Sequence, residues 1–282
     1  MPPLHGHPPV RSAPPPRQRG VALLTALLVV ALVTIAAVAM TSRQHMDIRR
    51  TTAVLSHDQA HQLSLAAEAY ALRLLGRGED RELPWEGCTS PPIPATLEGA
   101  GITVWLEDLH CRFNLNALGG GEETWQAAFV RLQEEILQAH PEAELDPEGL
   151  ARTVADWLDP ETDDPDYRAM DPPRLSANRP MLSPSELRLV KGVDNAAWRA
   201  LAPYVTALPG ADTPLRLEHA PDPVRNALAG LIEDDTDGEA PPARYYRLQV
   251  RTEIADHRFF LCSILDTEAQ EVILREQAAC GP

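Results

Sequence analysis

The chain has 282 residues, 44% of them hydrophobic, with 25 Lys and Arg against 41 Asp and Glu and a formal net charge of −16. That apolar share over that length supports a core of one or two domains and excludes disorder throughout, and four Cys are too sparse for a disulfide-dense miniprotein. Residues 1–20 hold three Arg (Arg11, Arg17, Arg19) and no acid, so the rest carries 22 basic against 41 acidic groups, −19, a surface that repels phosphate backbones and argues against nucleic-acid binding.

In chain order, residues 1–20 are Pro-rich, basic and free of apolar periodicity, which predicts an extended segment. Residues 21–40, VALLTALLVVALVTIAAVAM, carry no charge. Twenty residues at about 1.5 Å each span roughly 30 Å, the thickness of a bilayer core. Arg43, Arg49 and Arg50 on the far side balance the leading arginines, so the positive-inside bias leaves orientation open. A cleaved secretory signal is the alternative, with Ala37-Val38-Ala39 as its small-x-small site. Against it, the run exceeds the usual apolar region of about 7–15 residues. The helical pattern also continues: residues 41–75 contain no Pro or Gly, and Val54, Leu55, Leu63, Leu65, Ala66, Tyr70, Leu72 and Leu74 form a loose stripe. Gly76 and Gly78 end it. One retained helix over 21–75 would measure about 80 Å.

Residues 84–99 read as a Pro- and Gly-rich loop, and 102–109 (ITVWLEDL) alternates like a strand that Cys111, Phe113 and Leu115 prolong. Asn114 and Asn116 suit turn or capping chemistry, and Gly119-Gly120-Gly121 a flexible joint, with no Lys-Ser/Thr behind it to make a phosphate loop. Helices are predicted over 122–139, 147–158, 184–191, 194–207 and 222–232, with Pro147, Pro184 and Pro223 in first turns. Residues 185–192 resemble a helix-hairpin-helix repeat and 214–232 a weaker copy; their acidic surroundings favour a structural use. Residues 244–265 form a predicted hairpin about Ala255-Asp256-His257, and 271–275 a last short strand. The class is α+β: a long N-terminal helix and a small antiparallel sheet, with a helical block inserted between its strands. The divisions fall at 1–20, 21–42, 43–118, 119–232 and 233–282.

Between Asp156 and Asp171 stand seven acids opposed by Arg168 alone, in a stretch that Pro160, Pro165 and Pro172 make loop-like. Carboxylates this close repel unless a cation sits among them, and hard oxygen donors on a flexible loop suit Ca²⁺. The candidate ligands are Asp159, Glu161, Asp163, Asp164, Asp166 and Asp171; a solvated acidic loop is the alternative. In a second cluster, Glu233, Asp235, Asp237 and Gly238 match the first half of an EF-hand loop. Pro241-Pro242 interrupts it and Arg244 takes the twelfth position, so a solvated loop is preferred.

Cys88, Cys111, Cys262 and Cys280 all follow the apolar run and allow three connectivities. The pairs Cys262–Cys280 and Cys88–Cys111 are preferred over buried free thiols, and no Cys-x-x-Cys suggests a zinc ribbon. His57 and His61 share a helix face without an evident third ligand. Metalloprotease, nucleophile-elbow and nucleotide-binding motifs are lacking.

The junction Arg19-Gly20-Val21 before an apolar helix resembles a prepilin leader site. A membrane peptidase cuts such leaders after the Gly and methylates the new N-terminus, here Val21. DLHCRFNLNAL at 108–118, VADWLDP at 154–160 and ANRPMLSPSELRLVKGV at 177–193 narrow the resemblance to the K-type minor pseudopilin of bacterial type II secretion, over roughly residues 17–282. The resemblance implies a pilin-like fold with a helical block, in a single-pass inner-membrane protein with its bulk in the periplasm. It implies a non-enzymatic role at the tip of a pseudopilus, initiating or capping its assembly for export of folded proteins across the outer membrane. Implied partners are I-type and J-type minor pseudopilins, other pseudopilus and inner-membrane secretion components, and the prepilin peptidase. Calcium in the helical block is implied too, although the loop after Asp159 is shorter here than in the usual family version. Ordinary pilins carry a Glu at the fifth mature position; the corresponding residue is Thr25. A first subunit has no predecessor whose terminal amine such a Glu would pair with, so an acid-free 21–40 suits the tip. The rival reading is a membrane-tethered periplasmic metal-dependent hydrolase using the 156–171 acids.

Overall fold

The structure, a computed structural model, describes residues 19–78, 83–162, 164–231, 243–254 and 257–281. With no Pro or Gly to break it between Val21 and Leu75, a single helix, α1, runs over Arg19–Leu75. Two compact units divide at Ser56. In the first, residues 21–55 are exposed throughout.

Residues 57–282 make up the second unit. Their elements are β1 (Ile93–Leu97), β2 (Ala100–Asp108), β3 (Phe113–Asn114), α2 (Glu123–Ala139), α3 (Pro147–Leu158), α4 (Asp166–Ala169), α5 (Asn195–Leu201), β4 (Val205–Thr206), α6 (Asp222–Leu228), β5 (Tyr245–Ile254), β6 (His257–Asp266) and β7 (Glu271–Glu276). Five strands form an antiparallel sheet in the order β1-β2-β5-β6-β7, so everything from β3 to α6 is inserted between two neighbouring strands. The class is α+β, as read from the pattern.

Alternation along the strands turns Ile102, Leu106, Leu248, Val250, Leu261 and Leu265 to one face, which packs on Leu63, Ala71 and Leu75 of α1. The covering stripe is not the one read from large apolar residues. Val54, Leu55 and Tyr70 are exposed, while Ala60, Leu63, Ser64, Glu68, Ala71 and Leu75 are buried. Two polar side chains are accepted into that face because each finds a partner on the sheet: Ser64 bonds Thr252 at 2.8 Å, and Glu68 bonds Ser263 and Arg275. A Cβ on Gly76 would stand 2.1 Å from Nε2 of Gln270, which donates to the Leu72 carbonyl at 3.2 Å. The glycine therefore admits a side chain that adds a second bond to a carbonyl already accepting the Gly76 N–H at 3.0 Å.

The helical block has its own core, built around Phe113, Phe129, Val154, Trp157, Leu187 and Leu201. Helices α2 and α3 occupy nearly the predicted ranges, with Asp146 capping α3 through the Gly149 N–H. Five expectations need correction. Residues 84–99 contain strand β1, closed onto β2 by a tight turn at Glu98-Gly99 with both φ angles positive, +52° and +80°. Strand β2 does not run on through Cys111: Asp108 accepts the His110 N–H, a 3₁₀ turn forms over Leu109–Cys111, and β3 then pairs with β4 in parallel. Residues 184–189 are 3₁₀ rather than α, and 205–206 are strand because Pro203 lacks the N–H that a continuing helix needs. The acidic stretch contains a helical turn, α4. The turn residues Ala255 and Asp256 and the 233–239 acid cluster lie outside the described residues.

Candidate functional site

Within 21–40 the only polar side chains belong to threonines, and the helix itself satisfies them. Thr25 donates to the Ala22 carbonyl at 3.0 Å and Thr34 to Val30 at 2.8 Å. Beyond the first helical turn, α-helical backbone plus back-bonded hydroxyls leaves this stretch no polar group that needs an outside partner in hydrocarbon. It is long and apolar enough to cross a membrane. Gly20 and Val21, the expected processing junction, are both in helical backbone.

The motif asparagines hold the helical block together. Asn114 accepts the N–H of Leu208 at 3.0 Å and of Asn116 at 3.2 Å, and donates to the Gly210 carbonyl at 2.7 Å. Asn116, 5% exposed, accepts the Met181 N–H at 2.8 Å and donates to the carbonyls of Met181 at 2.9 Å and Leu208 at 2.8 Å. The Arg-Phe-Asn-Leu-Asn motif thus ties together two segments about 65 and 92 residues further along the chain. In the 177–193 stretch, Glu186 accepts the Leu182 N–H and pairs with Arg179 and Leu187 is fully buried, and just past it Asp194 caps α5. Both halves of the resemblance are therefore scaffolding for one block.

In the acidic loop, Asp159 accepts the Glu161 N–H at 2.9 Å and the Thr162 hydroxyl at 2.8 Å, contacts that lower its pKa. Lys191 donates to Asp164 at 2.5 Å and Asp166 at 2.9 Å, and Asp164, which also accepts the Asp166 N–H, is held below the usual carboxylate range first by that ammonium. The Asn178 amide holds the carbonyl of Thr162 at 2.6 Å. Glu161 and Asp171 share no converging site with these, and Asp163 lies outside the described residues. Among the described residues no three His, Cys, Asp or Glu gather as metal ligands, and His57 and His61 have no third partner of that kind. Of the described candidates, Asp159, Asp164 and Asp166 are each paired with neighbouring donors.

A disulfide joins Cys262 to Cys280 and ties residues 277–281 to β6. Cys88 and Cys111 are thiols in mutual contact; that contact, and then burial, pushes the Cys111 pKa up. Cys88 also donates to the His219 carbonyl at 3.4 Å.

Two buried groups escaped the reading of the sequence. His110 shares Nδ1 with the Pro214 carbonyl at 2.8 Å, while Nε2 accepts the N–H groups of Arg244 at 3.0 Å and Tyr245 at 3.1 Å. It fastens the β4–α6 connection of the helical block to the start of β5. Glu68, 3% exposed, takes two bonds from Arg275 at 2.9 and 2.6 Å. The available signal for Glu68 was its spacing: it stands four residues beyond Ser64 and three before Ala71, on the face that α1 buries.

Known proteins agree with this layout. A family model described as type II secretion system (T2SS), protein K matches residues 111–210, the heart of the helical block. Type II secretion system protein K of Pseudomonas aeruginosa is 35% identical over 245 residues, covering 77% of this chain and 69% of that protein. The Klebsiella pneumoniae protein of the same name is 33% identical over 235 residues, covering 77% and 70%. A chain in the crystal structure of the GspK-GspI-GspJ complex from the type 2 secretion system of enterotoxigenic Escherichia coli superposes with a TM-score of 0.66 at 20% identity, over 82% of this chain and all of that one. Fold, motif scaffold and relatives converge, and the chain belongs to the type II secretion system protein K family.

Proposed function

We propose that the protein is a non-enzymatic minor pseudopilin that initiates or caps the pseudopilus at its tip, for export of folded periplasmic proteins across the outer membrane. The observation that carries this reading is the acid-free apolar segment 21–40, whose hydroxyls are satisfied on their own helix. A helix with Thr25 in place of a membrane carboxylate needs no preceding subunit to neutralise it, so it can enter a fibre first. Residues 21–40 would anchor the chain in the inner membrane with its bulk in the periplasm. Ala26, Ala31 and Ala36 would let neighbouring helices approach closely in the assembled bundle. The block inserted between β2 and β5 would limit what can be added ahead of it. The solved relative lies in a complex with GspI and GspJ, which supports I-type and J-type minor pseudopilins as partners, alongside other pseudopilus and inner-membrane components. Cleavage after Gly20 and methylation of Val21 by a prepilin peptidase would precede assembly.

The mass of the chain recovered from membranes tests this directly. A methylated chain starting at Val21, captured together with I-type and J-type pseudopilins, is the expected result. An uncut chain, or one starting at Met40, would overturn it.

A further inference from the structure

Lys191 is the only lysine in the chain, and it stands within the family stretch 177–193, 20 residues after the acidic loop. Its position is set by several contacts at once. Its backbone N–H donates to the Tyr167 hydroxyl at 3.2 Å, and its ammonium lies 5.8 Å from the centroid of the same ring. Tyr167 is fully buried in α4 and packs on Trp157 with ring centroids 5.0 Å apart. The ammonium reaches both Asp164 and Asp166, and the Asp164 side chain is only 15% exposed.

We propose that the Lys191 ammonium is the resident cation of the Asp164–Asp166 pair, holding the place that a divalent ion would otherwise need to occupy beside those two carboxylates. The donors argue for it. A calcium ion needs about six to eight oxygens converging at about 2.3–2.6 Å. Here the described donors already have partners that set the loop's geometry: Asp159 holds the Glu161 N–H and the Thr162 hydroxyl, Asp164 the Asp166 N–H and Lys191, and the Thr162 carbonyl the Asn178 amide. An ammonium needs only two or three acceptors and brings its own tether, so it neutralises the paired carboxylates with no ion drawn from solution. The paired charge in turn steadies α4, whose Tyr167 closes the core beneath it.

Thermal unfolding of the full chain in detergent, followed by Trp fluorescence, tests this for wild type, Lys191→Met, Lys191→Arg and Asp164→Asn, each with chelator and with 1 mM calcium (roughly the affinity limit of weak extracellular sites). The wild-type midpoint should be the same in both buffers. K191M should melt about 2–4 °C lower, the shift expected when a domain of this size loses a charge-assisted contact, and K191R should recover most of that. An unchanged midpoint in K191M overturns the proposal. So does a wild-type midpoint that falls on chelation and no longer does so in D164N, because the loop would then hold calcium.

Discussion

The sheet and the helical block belong to one compact unit but are held by different means. In the sheet, backbone groups satisfy one another through long antiparallel ladders, as along the ten-residue pairing of β5 with β6. Side chains there mostly add packing, with exceptions at the margins such as Asp266, which accepts the N–H groups of Glu268 and Ala269. The block has short helices, three 3₁₀ turns and a two-residue parallel pair, so much of its backbone has no ladder. Side chains take over that duty at Asn114, Asn116, Asn178, Asp194 and Glu186. The difference teaches that regular elements spread the work of hydrogen bonding, whereas irregular ones concentrate it in a few residues whose loss unpairs several backbone groups together.

The sharpest way to break this contrast is Asn116→Ala. It strips three partners from buried backbone groups of Met181 and Leu208, so stability should fall by roughly 3–4 kcal/mol. Proteolysis should open first around 177–210, with the sheet persisting. A smaller effect is expected at the Glu68–Arg275 ion pair, which joins α1 to the sheet, and it should be lopsided. Arg275→Met leaves the Glu68 carboxylate buried without its guanidinium, a loss of about 2 kcal/mol. Glu68→Met leaves Arg275, whose side chain is 42% exposed, free to return to water, so about 1 kcal/mol is lost. Urea unfolding of the two variants in detergent measures the difference; equal losses would mean that burial of the acid does not control the pair.

The parts legible in the sequence were those governed by composition and period. The acid-free run, the long α1, α2, α3 and the β5–β6 hairpin all follow from apolar spacing and the absence of breakers. What escaped was decided by tertiary partners. Strand β1 hides in a Pro-rich segment because an edge strand tolerates Pro94. The buried face of α1 was misjudged because Ser64 and Glu68 count as polar until Thr252, Ser263 and Arg275 are placed opposite them. At the candidate site, the asparagine motif was legible as turn chemistry, but which distant carbonyls it meets depends on chain closure over about 65 to 96 residues. The match of Lys191 to the acidic loop has the same origin: 27 residues separate it from Asp164.

The smallest effect should come from the hinge between the two regions, and it depends on pH. His110 is 1% exposed, and burial, the leading cause, lowers its pKa below the ordinary value of 6.5. The Asp108 carboxylate and the Pro214 carbonyl pull the other way, while Arg216 and Arg244 reinforce the lowering, so the net shift is a compromise. Because Nε2 accepts two N–H groups, a proton there would face two donors with no acceptor left. In the folded chain the neutral ring is favoured, so the unfolded chain takes up the proton first as pH falls. Stability from this group is therefore complete above pH 6.5 and is lost progressively as the pH drops below it towards the folded pKa. Urea midpoints at pH 7.5 and 5.5 should show that decline in wild type, with a smaller difference in His110→Gln, whose amide does not titrate. An identical pH slope in both chains would mean that the His110 contacts persist when the ring is charged, and that the block and the sheet are fastened elsewhere.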